Sequence, residues 1–165
     1  MSTGGRQFNS AKPSLLDRLI DHNPDNKSEI PWSNPERIQI IRKGIRRDVQ
    51  DLLNSRFRCV AWPPQLDELD NSLLNYGLPD FTAAGLNLAR EPEILLEAVR
   101  RALNTFEPRL TDIRVRLTDE NFHIDRTLRF RIDAVLLIEN QRVPMHLESA
   151  VETRTGQFNI GEASR

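Results

Sequence analysis

Apolar residues at helical spacing predict two helices in the first third of the chain. In the SLLDRLID stretch, residues 14–21, the apolar positions fall on one face and Ser14 offers an N-terminal cap. A stronger helix begins in the SNPE stretch near residue 33, which combines capping-box spacing with an early proline, and runs to about Asn54. Its inward stripe is formed by Ile38, Ile41, Ile45, Val49 and Leu52.

Two more helical segments are expected before the sequence changes character. The LDELDNSLLNYG stretch, residues 66–77, predicts a helix that stops at Gly77 and Pro79. A third main helix covers residues 92–106. Pro108 ends this helix, because its ring collides with the preceding turn and it has no N–H to donate.

After residue 110 the pattern changes from helical to alternating, which indicates β-strands. Alternating runs cover residues 113–117, 128–138 and 143–151, and GQFNI at residues 156–160 offers a short last strand. The turn-like ENQR joins the second and third runs as a hairpin. Helices followed by an antiparallel β meander with one polar face make an α+β fold.

The N-terminal part is expected to be separate from the main body. Residues 1–32 read as a mobile N-terminus with a short docking helix and a linker rich in Pro, Asn, Asp and Ser, and residues 33–165 read as a single α+β domain. A helix this short is marginal alone and must dock on something, so its partner is expected in another chain. The docking helix comprises Leu15, Leu16, Asp17, Arg18 and Leu19.

Composition narrows the classes of function. The formal charge of −1 gives no long-range field toward nucleic acid or acidic membrane. Arginine supplies every basic residue except Lys12, Lys27 and Lys43, and arginine suits fixed bidentate contacts with carboxylate or phosphate. A single cysteine, Cys59, fits a reducing compartment, and no apolar run approaches the roughly 20 residues that a membrane span needs. We therefore expect a cytoplasmic protein without membrane insertion.

The sequence gives little support for a catalytic site or a metal-binding site. The histidines, His22, His123 and His146, show no ligand spacing, and no glycine-rich phosphate loop is present. A glycosidase needs two carboxylates across a cleft, one of them protonated, and Glu107 with Asp112, Asp119 or Glu120 would be the candidates. Arg109 beside Glu107 disfavours the protonated form. No catalytic residue, metal or cofactor is predicted.

An arginine ladder on the predicted strands offers a second class of function. If the strands pair, Arg114, Arg116, Arg129 and Arg131 share one sheet face and form a platform for phosphates. Alternatively, Asp133, Glu148 and Glu152 pair with these arginines across the strands. Stacking aromatic residues are missing from that face, since Phe130 points the other way, so nucleic acid is not the expected partner.

The FEPRL stretch places Glu107, Pro108 and Arg109 where the third helix stops. Two interpretations remain open from the residues alone. The charged residues either form an internal pair that buttresses the corner or present a clamp to another protein. We favour the clamp, because side chains at a turn reach outward more readily than those of a core.

Five blocks of the sequence together resemble a known family. PSLLDRL, RRDVQDLLNSR, SLLNYGLPDF, FEPRL and TGQFNI stand in order along nearly the whole chain. They are similar to TssE, the type VI secretion baseplate subunit of the phage-tail wedge family that is sometimes labelled lysozyme-like. The resemblance implies a structural role, without catalysis or cofactor, in a cytoplasmic baseplate docked near the inner-membrane complex.

The resemblance also implies partners and contact sites. Glu107, Pro108 and Arg109 match the Glu-Pro-Arg motif of the family, which contacts the helical core of the wedge formed by TssF- and TssG-like proteins. The β region is similar to the handshake domain of sheath proteins of the TssB/TssC type, in which neighbouring subunits complete a shared sheet. We expect the third alternating run to accept a sheath strand. The residues expected to form this sheath-binding strand are Val143, Met145, Leu147, Ser149 and Val151.

Overall fold

The computed structural model describes residues 12–20, 34–57, 63–81, 91–118, 127–138, 141–152 and 154–162. Three α-helices form where the apolar periodicity predicts them. They are α1 (Leu15–Leu19), α2 (Asn34–Asn54) and α3 (Pro92–Phe106). The first eleven residues, residues 21–33 of the predicted linker, Cys59, and the ENQR positions 139–140 lie outside the described residues.

The stretch between α2 and α3 departs from the predicted helix. Two 3-10 helices, Pro64–Asn71 and Leu73–Asn75, replace it, and non-helical dihedral angles at Leu66 break the first of them. Ser72 adopts an extended conformation between the two, and its hydroxyl accepts a hydrogen bond from the N–H of Leu74. A serine side chain that competes for backbone donors favours such short turns over a continuous helix.

Two short strands join the end of α2 to this region. β1 (Arg56–Phe57) and β2 (Leu78–Pro79) pair in parallel. Gly77 precedes β2 with a φ of +113°, and a β-carbon there would lie 2.4 Å from the carbonyl oxygen of Ser55. Only glycine fits this turn without strain.

The second half of the chain is an antiparallel meander in the order β3-β4-β5-β6. The strands are β3 (Leu110–Leu117), β4 (Thr127–Ile138), β5 (Gln141–Glu152) and β6 (Phe158–Glu162). β4 and β5 pair along their whole lengths, while β6 pairs with residues 147–151 of β5. The α+β fold class predicted from the sequence is confirmed.

One hydrophobic core lies between the helices and the inner face of the sheet. α2 contributes Ile41, Ile45 and Val49, and α3 contributes Leu95, Val99 and Leu103, all of them almost completely buried. Alternate residues of β4 from Leu128 to Ile138 face the same core. The inward stripe predicted for α2 and the alternation predicted for β4 are confirmed, whereas Ile94 of α3, which the apolar pattern also predicts to face inward, is exposed. Among the described residues, no helix is long and apolar enough to cross a bilayer.

Candidate partner-binding surface

The corner between α3 and β3 is built by the FEPRL residues. Glu107 terminates α3, and its N–H still donates to the carbonyl of Leu103 at 3.0 Å. The carbonyl of Glu107 accepts from the N–H of Leu110 at 3.1 Å, so β3 begins three residues after Glu107. Pro108 occupies this tight turn, where its fixed φ and missing N–H cost nothing to either element. Its side chain is exposed.

Glu107 and Arg109 form an internal ion pair. Nε of Arg109 donates to Oε1 of Glu107 at 2.6 Å, and Nη2 donates to Oε2. The side chain of Glu107 is only 5% exposed and that of Arg109 is 17% exposed. The structure therefore contains the internal pair that the sequence analysis ranked below an outward clamp. The reason is local, because a bidentate guanidinium can satisfy a buried carboxylate two residues away.

Asp48 of α2 completes this arrangement from the other side. Its Oδ2 lies 2.7 Å from Nη2 of Arg109, and its Oδ1 accepts from Nε and Nη2 of Arg47 at 3.1 and 2.8 Å. Burial lowers the pKa of Arg109, but its hydrogen bonds with Glu107 and Asp48 outweigh this effect and raise that pKa above its usual value. Sequence reasoning gave Asp48 no role. The only signal was an acidic residue directly after the arginines of the RRDVQDLLNSR block.

The short helix α1 docks on α2 through a polar contact. Asp17 lies 2.9 Å from Nη1 of Arg47, and its side chain is only 8% exposed. Asp17 also completes a capping box with Ser14. Burial raises the pKa of Asp17, but the hydrogen bonds from Ser14 and the charge of Arg47 lower it below its usual value. The charged form of Asp17 is thus the one that holds α1.

The leucines of α1 face away from α2. Leu15, Leu16 and Leu19 are 75%, 53% and 82% exposed, and no residue of α1 is buried. The helix is therefore fixed by Asp17 and leaves its apolar side available. Whether these leucines bind another chain stays a prediction.

A groove runs between the segment before α1 and the corner. Its volume is about 490 Å³, and Pro13, Tyr76, Phe106 and Pro108 contribute its apolar walls. The rings of Tyr76 and Phe106 meet edge to face at 5.3 Å. Burial and then the negative charges of Asp51, Asp48 and Glu107 raise the pKa of Tyr76, so the phenol stays protonated and able to donate. An apolar side chain of a partner fits such a groove.

A comparison with protein families identifies the chain. The family model described as baseplate wedge protein gp25 matches residues 40–141, which is more than half of the sequence. The chain belongs to the gp25 baseplate wedge family. Searches of curated proteins and of solved structures found no significant match.

The gp25 family assigns a coarse role. Its members are structural components of phage-tail-like baseplates, so this chain is a structural baseplate protein that assembles with other baseplate and tail proteins. The matched segment begins within α2 and ends at the first residue of β5, and it contains Asp48 and the corner. α1, most of β5 and all of β6 lie outside it.

The strand predicted to bind the sheath lies inside the sheet. β5 is hydrogen-bonded to β4 along its length and to β6 over residues 147–151. Met145, Leu147, Ser149 and Val151 are buried, and Val143 is half-buried against the core. Their side chains pack in the protein's own core, as an alternating strand beside a core requires. They are therefore not available as a contact surface for another protein. Among the described strands, residues 141–146 of β5 pair with β4 alone, so only this part of the strand lies at a sheet edge. Sheath binding at this strand stays a prediction.

Side chains of α2 close part of the edge formed by β5 and β6. Asn54 accepts from the N–H of Phe158 at 2.9 Å and donates to its carbonyl at 3.0 Å. Pro144 offers no N–H, and its carbonyl accepts from Arg42 at 2.6 Å. These contacts satisfy backbone groups that an incoming strand would need.

The outer edge of β3 is open among the described residues. The N–H of Thr118 donates to the carbonyl of Arg129 at 3.0 Å. With the strand register, this bond shows which residues of β3 are hydrogen-bonded to β4 and which alternate ones are not. Val115 and Leu117 therefore direct their N–H and C=O groups away from β4. No described strand pairs with them on that side.

The arginine ladder lies on the outer sheet face as predicted. Arg114, Arg116 and Arg129 are exposed there, and Arg131 is half-exposed. Asp133 binds Arg131 at 2.8 Å and His146 at 2.6 Å. Burial raises the pKa of Asp133, but hydrogen bonds from His146 and Arg131 lower it below its usual value.

Among the described residues, no group of histidine, cysteine and acidic side chains is placed to hold a metal ion. Two of the three histidines of the sequence, His22 and His123, and the acidic residues Asp119 and Glu120 lie outside the described part.

Proposed function

We propose that this protein is a TssE-type subunit of a type VI secretion baseplate, which joins TssF- and TssG-like wedge proteins to the first ring of a contractile sheath of TssB/TssC-type proteins. Membership of the gp25 family supports the baseplate role. The motif blocks at both ends of the chain support the TssE assignment within it. The proposed location is the cytoplasmic baseplate near the inner-membrane complex.

The observation that carries the wedge contact is the fixed corner. Arg109 forms ion pairs with both Glu107 and Asp48. These contacts hold Pro108 and the adjoining groove in one geometry. A preorganised surface loses less conformational entropy on binding, which favours affinity. In this proposal the charged residues set the geometry, while Pro108 and the apolar groove walls make the contact with the helical wedge core.

The open edge of β3 is the proposed site of sheath contact. A strand from a sheath subunit gains main-chain hydrogen bonds from the outward groups of Val115 and Leu117. This edge is preferred over β5 because β5 is already paired on both sides over residues 147–151. It is preferred over the β5/β6 edge because Asn54 and Arg42 occupy groups there.

Co-purification tests the proposal. The tagged full-length protein is co-expressed with its neighbouring wedge proteins, and separately with its sheath proteins, and the stoichiometry of each isolated complex is measured. Recovery of a wedge complex supports the assignment. Failure to bind either set of proteins would contradict it.

A lysozyme-type activity receives no support from the corner. A general acid must present a proton to the leaving oxygen. Both carboxylate oxygens of Glu107 accept hydrogen bonds from Arg109 instead. Clearing of purified peptidoglycan by the wild-type protein, lost in Glu107→Gln, would overturn this interpretation.

The exposed arginines of the outer sheet face favour nucleic acid as the second candidate partner. Arg114, Arg116 and Arg129 are solvent-exposed on neighbouring strands. Nucleic-acid binding through them would weaken steeply with salt. Fluorescence anisotropy with a labelled oligonucleotide at rising salt, with Arg116→Glu as the variant, would detect it.

A further inference from the structure

α1 packs closely against α2 at Gly44, a site that we call the Gly44 cradle. A β-carbon on Gly44 would lie 2.5 Å from Oδ2 and 3.2 Å from Cγ of Asp17. Real side chains do not approach so closely, so any other residue at this position would force the carboxylate of Asp17 to shift. Glycine in the middle of a helix costs roughly 0.5–1 kcal/mol relative to alanine. The close approach of α1 is a physical reason for a glycine at this point of a 21-residue helix.

A chain of ion pairs connects this cradle to the corner. Asp17 contacts Arg47 at 2.9 Å, Arg47 contacts Asp48 at 2.8 Å, and Asp48 contacts Arg109 at 2.7 Å. Arg109 then holds Glu107. Three carboxylates and two guanidinium groups alternate in sign along this path. The chain fixes α1 and the corner to neighbouring residues of the same helix.

The segment that precedes α1 and the corner between α3 and β3 also line one groove. Lys12, Pro13 and Ser14, which precede and cap α1, line the same groove as Phe106 and Pro108. The leucines of α1 lie on the outward side of this segment, with Leu15 and Leu19 spaced one helical turn apart. Lys12 and Arg18 are exposed beside them.

We propose that the leucine face of α1 and the Pro108 groove form one contact surface, presented by the Asp17–Gly44 latch, and that its occupant is a single amphipathic helix of the wedge core. Leu15 and Leu19 at i,i+4 spacing offer a ridge suited to the apolar stripe of another helix. The exposed cations Lys12 and Arg18 favour acidic residues beside that stripe. One apolar side chain of the same helix enters the groove over Tyr76 and Phe106. This inference rests on the proposed wedge function and names the chemistry of its partner.

The latch is tested first in the isolated full-length protein. Gly44→Ala should weaken the docking of α1, because the new methyl group forces the carboxylate of Asp17, which binds Arg47, to shift. A free five-residue helix is not stable in water, so trypsin should cleave after Arg18 about tenfold faster than in the wild type. Gln39→Ala, at an exposed position of α2, is the matched control and should leave cleavage unchanged. Equal cleavage of the Gly44→Ala and wild-type proteins would overturn the latch.

Binding of the co-expressed wedge proteins tests the composite surface. The double variant Leu15→Ser/Leu19→Ser should lose at least about tenfold in affinity without loss of thermal stability, since both side chains are exposed. Gly44→Ala should lose a similar factor, and combining all three changes should add little. Normal affinity of the double variant would overturn the shared surface, and full additivity would overturn the latch. Absence of wedge binding by the wild type would instead contradict the proposed function itself.

Discussion

Nη2 of Arg109 lies 2.7 Å from Oδ2 of Asp48, a residue 61 positions earlier in the chain. This contact ties the middle of α2 to the corner between α3 and β3. Because Arg109 also holds the buried Glu107, one guanidinium connects three elements of the fold. The stability of the corner and its capacity to bind a partner are therefore expected to depend on different residues.

Arg109→Ala should destabilise the isolated protein. It leaves Glu107 buried without its counter-charge, and removing one partner of a buried ion pair costs about 3–5 kcal/mol. Urea denaturation measures the loss. The control is Arg100→Ala, whose partner Glu97 is solvent-exposed, and this change should leave the midpoint unmoved. Equal midpoints for the two variants would show that the Glu107–Arg109 pair is not buried in solution.

Pro108→Asp should separate binding from folding. Pro108 is exposed, so a charged side chain there leaves the core intact but places a carboxylate against the partner's apolar surface. We expect the affinity for wedge proteins to fall about tenfold or more. Asn159→Asp adds the same charge at an exposed position of β6 and should bind normally. A Pro108→Asp protein that binds as tightly as the control would exclude the corner from the interface.

Val115→Pro should block strand addition while sparing the sheet. Its N–H points away from β4, so proline removes no hydrogen bond of the β3–β4 ladder, and edge strands tolerate proline in this orientation. Sheath assembly should fail while wedge binding persists, with circular dichroism confirming the fold. Ala150→Pro makes a useful contrast, because Ala150 lies between β4 and β6 and the change should unfold the sheet. Normal sheath growth with Val115→Pro would rule out this edge.

Docking of α1 should depend on pH through Asp17. The pKa of Asp17 in the folded protein is lowered below its ordinary value of 3.8. A group with a depressed folded pKa contributes stability above its unfolded pKa and loses that contribution as the pH falls through the folded pKa. The methyl NMR signals of Leu15 and Leu19 should thus report undocking below about pH 4. In Asp17→Asn they should show no such acid transition, and a transition that persists in this variant would place its origin in another carboxyl group.

Local patterns of the sequence determined the elements and their faces. The inward stripe of α2 and the alternation of β4 follow from the periods of 3.6 and 2, which any amphipathic helix or strand beside a core must obey. Pro108 set the end of α3 for steric reasons that involve only its nearest neighbours. These features depend only on neighbouring residues, so the sequence was sufficient to predict them.

The sequence did not determine which groups meet across the fold. The residues around Arg109 favoured an outward clamp, and only the packing of α2 against the corner brings Asp48 to it. The apolar spacing of α1 predicted that its leucines dock on another chain, but it did not predict that Asp17 packs against Gly44 of α2. Likewise, the alternation of β5 predicted a strand of the meander, but it did not predict that β6 covers its other side over residues 147–151. Ion pairs between distant residues and strand order arise from long-range packing, and periodicity along a chain records only which side of each element faces inward.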